Sequence, residues 1–84
     1  MFDVYMIYRS VTYGQSARAA LDRGGVPCRL IRSPREYAPA GCAYAVTVRR
    51  RDYSRALGLA AAEGMRPEAS FHRKADGSSE RLAT

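Results

Sequence analysis

Two cysteines, Cys28 and Cys42, are the most reactive side chains in this sequence of 84 residues. Cys42 ends a polar, turn-rich stretch, SPREYAPAGC, and directly precedes an alternating apolar run. A thiol becomes a nucleophile when it ionises, and nearby cations promote that ionisation. Arg35 opens the same predicted loop, and Gly41 beside the thiol would leave the sulfur accessible. Cys42 is therefore the candidate reactive residue; the alternative is an inert small side chain that fills a strand end.

The turn before Cys42 supplies the supporting residues of this candidate site. Arg35 is always charged and opens the same loop, so it is expected to lower the pKa of the Cys42 thiol. An arginine fork also binds carboxylates, phosphates and other oxyanions. Pro34, Glu36 and Gly41 would shape the loop. The alternative is that Arg35 and Glu36 form a solvated pair on a turn.

Cys28 falls within a predicted strand, on a mostly apolar face. The favoured interpretation is a small core hydrophobe. The sharper alternative is a resolving thiol for Cys42, which would require the two Cα atoms to lie within roughly 7 Å of each other.

Arginine dominates the charge of the chain, which has a net charge of +6 and only one lysine, Lys74. Arg49, Arg50 and Arg51 form the densest run, directly before a predicted helix. They are a candidate docking patch for nucleic acid or an acidic protein surface, or else a solvated strand end. His72, the only histidine, would have to lie near Cys42 with an orienting acid to serve in a catalytic triad, and this role is not favoured.

The composition restricts the class of protein. The length fits one small domain, and no apolar run approaches the ~20 residues of a membrane-spanning helix. The N-terminal stretch lacks the features of a signal peptide, so we expect a cytoplasmic protein. Two cysteines are too few for a disulfide scaffold. With one histidine and no CxxC pair, we expect no metal site, and we expect no cofactor and no enzymatic activity.

The hydrophobic pattern predicts the order β-α-β-β-α with a final strand, the pattern of a ferredoxin-like fold. The fold class is α+β, a two-layer sandwich with two helices on one face of an antiparallel sheet. Residues 1–73 would form this domain, and the polar residues 74–84 a disordered tail. The predicted strands are Phe2–Tyr8, Val26–Arg32, Ala43–Arg49 and Ala69–Arg73.

The two faces of the third strand differ in side-chain size. We assign the small side chains Ala43, Ala45 and Thr47 to the face under the helices, where they would allow close packing. The opposite face of the sheet would then carry tyrosines and aliphatic residues and would be exposed in a monomer. An uncovered apolar face is a candidate association surface, so we expect a homodimer through this face or through an edge strand.

The stretch from Ala17 to Val46 resembles a family of small bacterial domains described as selenium/sulfur (Se/S) carrier protein-like. The resemblance extends over most of the chain from Tyr5 to Gly64. The residues that carry it are Gly25, Val26, Pro27, Leu30, Ile31, Pro34, Arg35, Glu36 and Cys42. Two positions depart from the family pattern: Ala43 stands where glycine often follows the cysteine, and Thr47 near the place of a frequent arginine.

The resemblance implies a non-enzymatic carrier that holds sulfur or selenium as a persulfide-type adduct on Cys42. Its partners would be donor or acceptor proteins such as a cysteine desulfurase. One alternative is a small basic module that binds nucleic acid or protein and needs no thiol. Another is a structural subunit of an enzyme complex.

Overall fold

A computed structural model of the protein describes residues 1–38 and 43–84. Gly41 and Cys42 lie outside these described residues. The elements are the strands β1 (Val4–Tyr8), β2 (Arg29–Arg32), β3 (Tyr44–Val48), β4 (Ala69–Arg73) and β5 (Ser79–Leu82), the helices α1 (Val11–Arg23) and α2 (Tyr53–Ala62), and the short 3-10 turns Arg35–Tyr37 and Arg50–Asp52. In the parts of the chain that the structure describes, no helix is long and apolar enough to cross a membrane.

The five strands form one antiparallel sheet in the order β2-β3-β1-β4-β5. The predicted α+β class is confirmed, and the order of β1 to β4 is compatible with a ferredoxin-like arrangement. β1 and β3 are central neighbours, with Met6 paired to Val46. β4 occupies the predicted bounds, Ala69–Arg73.

Both helices pack on one face of the sheet, which we call the helix face. Alternate residues of β1 and β3 point toward the helices, and Met6, Leu21 and Val46 are fully buried there. Burial of each such side chain contributes roughly 1.5–3 kcal/mol. At the end of α1, a Cβ on Gly24 would lie 2.4 Å from Cδ1 of Leu59, so a larger residue there would require the Leu59 side chain of α2 to move.

The assignment of the β3 faces was wrong. Val46 and Val48 belong to the core under the helices, whereas Ala45 is buried on the opposite, open face against Tyr37. Because the side chain of Ala45 is small, it leaves room for the ring of Tyr37, which belongs to the 3-10 turn and not to a helix. The open face is therefore not the bare apolar surface that the sequence suggested.

Tyr37 lies across the open face and is only 7% exposed. Its ring stacks on Phe71 of β4 with a centroid distance of 4.6 Å and lies 5.1 Å from the ring of Tyr5 of β1. Its hydroxyl is 2.5 Å from the hydroxyl of Ser79 in β5. One side chain thus fastens the segment after β2 to three other strands.

The prediction of a disordered tail over residues 74–84 was also wrong, because a hairpin forms there. Asp76 accepts hydrogen bonds from the backbone N–H and the hydroxyl of Ser78, and Gly77 adopts a φ of 90°. β5 then pairs with β4, and Leu82 is buried in the core under the helices. The Asp-Gly turn, a strong hairpin signal, outweighs the polar composition.

Replacing Tyr37 tests how much the open face depends on it. We expect Tyr37→Ala to lower the free energy of unfolding by about 3 kcal/mol, as for other buried aromatic residues. Tyr37→Phe should cost about 1 kcal/mol, because only the hydroxyl contact is lost. Urea unfolding measures both changes.

Tyr13→Ala is the matched control: Tyr13 is 54% exposed, and its loss should change stability by less than about 0.5 kcal/mol. Equal effects at both tyrosines would contradict this view of the open face.

Candidate functional site

The two arms of the segment that contains Cys42 meet at a backbone hydrogen bond. The N–H of Ser33 donates to the carbonyl of Ala43 at 2.9 Å. Pro34 and the exposed Arg35 follow on the first arm, and Ala43 leads into β3 on the second. The structure therefore places Arg35 two residues beyond this hydrogen bond, whereas the predictions for Gly41 and Cys42 fall outside the described residues.

The first arm is held on the open face by Glu36 and Tyr37. Glu36 forms an ion pair with Arg73 of β4. The guanidinium of Arg73 also lies over the rings of Tyr5 and Tyr37, 5.0 and 5.3 Å from their centroids. Glu36 thus does more than form a solvated turn pair, and it anchors the turn that contains Arg35. Sequence reasoning missed Arg73, although its alternation with Phe71 in β4 assigns both residues to one face.

A surface depression opens at the end of the sheet where β3 begins. Tyr44, the first residue of β3, pairs with Tyr8 at the end of β1. Burial raises the pKa of Tyr8, whose hydroxyl donates to the carbonyl of Met65 at 2.6 Å. The exposed rim carries an ion pair between Arg9 and Glu68. The depression is lined by Tyr8, Arg9, Tyr13, Gly64, Met65, Arg66 and Glu68.

Cys28 lies just before β2, half-buried against the helix-face core. Its Sγ is 3.5 Å from Oδ1 of Asp22 on α1. Burial, and then the negative charge and hydrogen bond of Asp22, raise the pKa of the Cys28 thiol to about 11. At neutral pH this thiol is almost entirely protonated, which is unfavourable for a residue that must attack another sulfur atom.

The predicted docking patch lies at the other end of β3 from Ala43. Arg49 follows the last residue of β3, and Arg50 and Arg51 form the 3-10 turn before α2. The backbone N–H of Arg50 donates to Oδ1 of Asp3 at 3.0 Å. The structure thus separates the docking patch from Ala43, on the second arm of the Cys42 segment, by the length of β3.

His72 belongs to the same end of the sheet as the docking patch. It pairs with Val4 at the start of β1, and its Nε2 is 2.9 Å from Oδ2 of Asp3. Burial works against ionisation of Asp3, but the hydrogen bonds from His72 and from backbone N–H groups hold the pKa of this carboxyl below its usual value. Within residues 1–38 and 43–84, no three His, Cys, Asp or Glu side chains are grouped as a metal site would require.

Comparison with known proteins identifies one family. The family model described as "Putative Se/S carrier protein-like" matches residues 3–72. The chain belongs to this family. The resemblance carried by the residues from Gly25 to Cys42 is therefore confirmed. No curated protein and no solved structure matched the chain.

The match to the Se/S carrier protein-like family extends from the residue before β1 almost to the end of β4. It includes both arms of the Cys42 segment and both helices. β5 lies outside the match, although its Ser79 contacts Tyr37 and its Leu82 completes the core. In this protein an element beyond the matched region therefore supports the turn next to the candidate site.

The environment of Cys28 predicts how fast it reacts. In a Cys42→Ser background, we expect Asp22→Asn to lower the pKa of Cys28, because a negative charge and a hydrogen bond to the thiol are removed. The pKa should stay above the ordinary value for a thiol, because burial, the largest cause, remains. The rate of alkylation against pH, read by mass, gives both values.

Glu80→Gln, which removes a carboxylate paired with Lys74 on the distant hairpin, is the control and should leave the Cys28 titration unchanged. A Cys28 thiol that titrates below pH 9 before any substitution would contradict this account.

Proposed function

We propose that this protein is a non-enzymatic carrier of sulfur or selenium, which it holds as a persulfide-type adduct on Cys42. The observation that carries the proposal is the environment of Cys28 in a member of the Se/S carrier protein-like family. The chain has only two cysteines, and the raised pKa of Cys28 makes it a poor nucleophile at neutral pH. Cys42 is then the thiol left to carry the atom.

The described arms of the Cys42 segment support this choice. Ser33 and Ala43 fix the base of the segment, and Tyr37 and Glu36 fix its first arm on the open face. Arg35 lies in the chain between Ser33, which bonds to Ala43, and the residues Glu36 and Tyr37, and its side chain is exposed. A permanent cation beside the loop favours the thiolate form of a nearby cysteine. We therefore assign to Arg35 the role of lowering the pKa of Cys42.

The loading step is a transfer between two sulfur atoms. The Cys42 thiolate attacks the outer sulfur of a persulfide on a donor protein, and the donor's S–S bond breaks. The bonding pair leaves with the donor as a thiolate, and Cys42 holds the transferred sulfur as a persulfide. An acceptor nucleophile later attacks that outer sulfur and releases the Cys42 thiolate. No net oxidant is needed, since the donor persulfide already contains the oxidised sulfur pair.

Loading is tested with a cysteine desulfurase and free cysteine. We expect the intact protein to gain the mass of one sulfur atom, and peptide mapping to place it on Cys42. Cys28→Ser should load like the parent protein, whereas Cys42→Ser should not load at all. Loading that follows Cys28, or no adduct on a folded protein, would end the carrier proposal.

The role of Arg35 is tested by the pH dependence of Cys42 alkylation in a Cys28→Ser background. We expect Arg35→Ala to move the titration of Cys42 to higher pH, because a cation that stabilises the thiolate is lost. The matched control is Arg51→Ala, which removes the same charge at the opposite end of β3. Equal shifts in both variants would show a general charge effect and would remove Arg35 from the proposed site.

We also propose that the protein forms a homodimer through the β2 edge. Tyr37 already covers part of the open face, whereas Ile31 in the edge strand β2 is 38% exposed. An edge strand presents unpaired backbone groups to a second strand. Antiparallel pairing about a two-fold axis can place two copies of Ile31 opposite each other, which adds apolar contact without opposing like charges.

Sedimentation at micromolar concentration should therefore show a dimer, and Ile31→Glu should shift it to monomer. The control Val11→Glu alters an equally exposed apolar residue on α1 and should leave the dimer intact. A parent protein that sediments only as a monomer would contradict the proposal.

A further inference from the structure

Four arginines gather at the end of the sheet where β2 begins and β3 ends. Arg29 opens β2, Arg49 follows β3, and Arg50 and Arg51 lead from β3 into α2. We call these four residues the arginine end. Arg49, Arg50 and Arg51 also line one surface depression together with Met1 and Asp3. The structure thus adds Arg29, distant in sequence, to the charge run that the sequence displays.

Among residues 1–38 and 43–84, no acidic side chain forms an ion pair with any of the four guanidinium groups. Over the described residues, no carboxylate oxygen lies within 4.0 Å of any of them, whereas Arg9, Arg18, Arg23, Arg73 and Lys74 have such partners. Single arginines elsewhere, such as Arg32, Arg35 and Arg81, also lack an acidic partner among the described residues, so the arginine end is distinguished by the grouping of four. Asp3, the acid in the same depression, is occupied by His72 and by the backbone N–H of Arg50. The arginine end therefore retains several positive charges that repel one another.

Aromatic rings hold three of these guanidinium groups in place. The Cζ atoms of Arg29 and Arg49 lie 5.1 and 5.6 Å from the centroid of the same ring, Phe2. Cζ of Arg50 lies 5.8 Å from the ring centroid of Tyr53. A guanidinium over a ring is attracted to the π face and still has N–H groups free to donate. The charges are therefore ordered before any ligand binds, which reduces the entropic cost of binding.

We propose that the arginine end binds the phosphodiester backbone of nucleic acid without reading its sequence. Nucleic acid is the polyanion of highest linear charge density, and arginine forks match phosphate oxygens in pairs. The four arginines extend from the start of the edge strand β2 to the 3-10 turn before α2, and this extent suits a chain of regularly spaced charges. An acidic protein surface fits the sign of the charge but offers no such regular array.

The open face explains why base recognition is not part of this proposal. Sheets that bind single-stranded RNA stack bases on exposed aromatic side chains. Here Tyr37 already stacks on Phe71 and contacts Tyr5, so the stacking surface is filled by the protein itself. Contacts at the arginine end are then limited to phosphates, and affinity should fall steeply with salt and depend little on sequence.

The test uses fluorescence anisotropy with a labelled oligouridylate of about 20 nucleotides and, in parallel, an oligonucleotide of mixed sequence and equal length. If four phosphates are contacted, affinity for either strand should drop roughly 50-fold between about 50 and 200 mM salt. The triple variant R29Q/R49Q/R51Q should weaken binding at least about tenfold and flatten the salt dependence. Binding of a labelled duplex is measured in the same way, and its affinity should fall slightly more steeply with salt than that of the single strands.

The control variant R9Q/R18Q/R23Q removes the same net charge from arginines that have acidic partners, and it should retain most of the affinity. Circular dichroism checks that both triple variants fold. Equal losses in both variants, binding that ignores salt, or equal competition by polyglutamate of matched charge would overturn the proposal. Cys42→Ser should bind like the parent protein, so this result and the loading of sulfur stand or fall separately.

Discussion

The stacking of Tyr37 on Phe71 is the contact on which the arrangement of the open face depends. It converts a sheet with helices on one side into a structure whose second side is covered by its own 3-10 turn. Because Ala45 is small, the ring can lie close to the sheet. The same contact holds the turn Arg35–Tyr37 on the sheet, so the stability of this face and the position of the first arm of the Cys42 segment are linked.

Hydrophobic periodicity identified β1, β3 and the two helices, whose apolar residues are buried. β2 and β4 contain no buried apolar residue, and glycine and proline residues near their ends helped to locate them. The assignment of the two faces of β3 could not be predicted in the same way. Alternation along a strand separates its side chains into two sets, but it does not show which element covers each set. The small set around Ala45 met an aromatic side chain from a turn, and the larger set around Val46 met the helices. β5 was missed because only Leu82 in it is buried.

The candidate site was predictable in part for a different reason. The types and spacing of Pro34, Arg35 and Glu36 suggested a turn beside a thiol, and the family match agrees with that resemblance. The partners of this turn come from β1, β4 and β5, far along the chain. A single sequence does not show that Arg73 pairs with Glu36 or that Ser79 contacts Tyr37. The properties of Cys28 likewise depend on Asp22 and on burial against the core.

Charge in this protein is divided between two ends of one strand. At the start of β3, Arg9 is paired with Glu68, the exposed Arg35 belongs to the first arm of the Cys42 segment, and Arg32 lies over the ring of Tyr44. At the end of β3, four arginines are grouped without an acidic partner in the described chain, and three of them lie over aromatic rings. A partner bound at the arginine end would leave the opposite end of the sheet open. The two proposals are therefore compatible in one molecule, because the described arms of the Cys42 segment and the arginine end lie at opposite ends of β3.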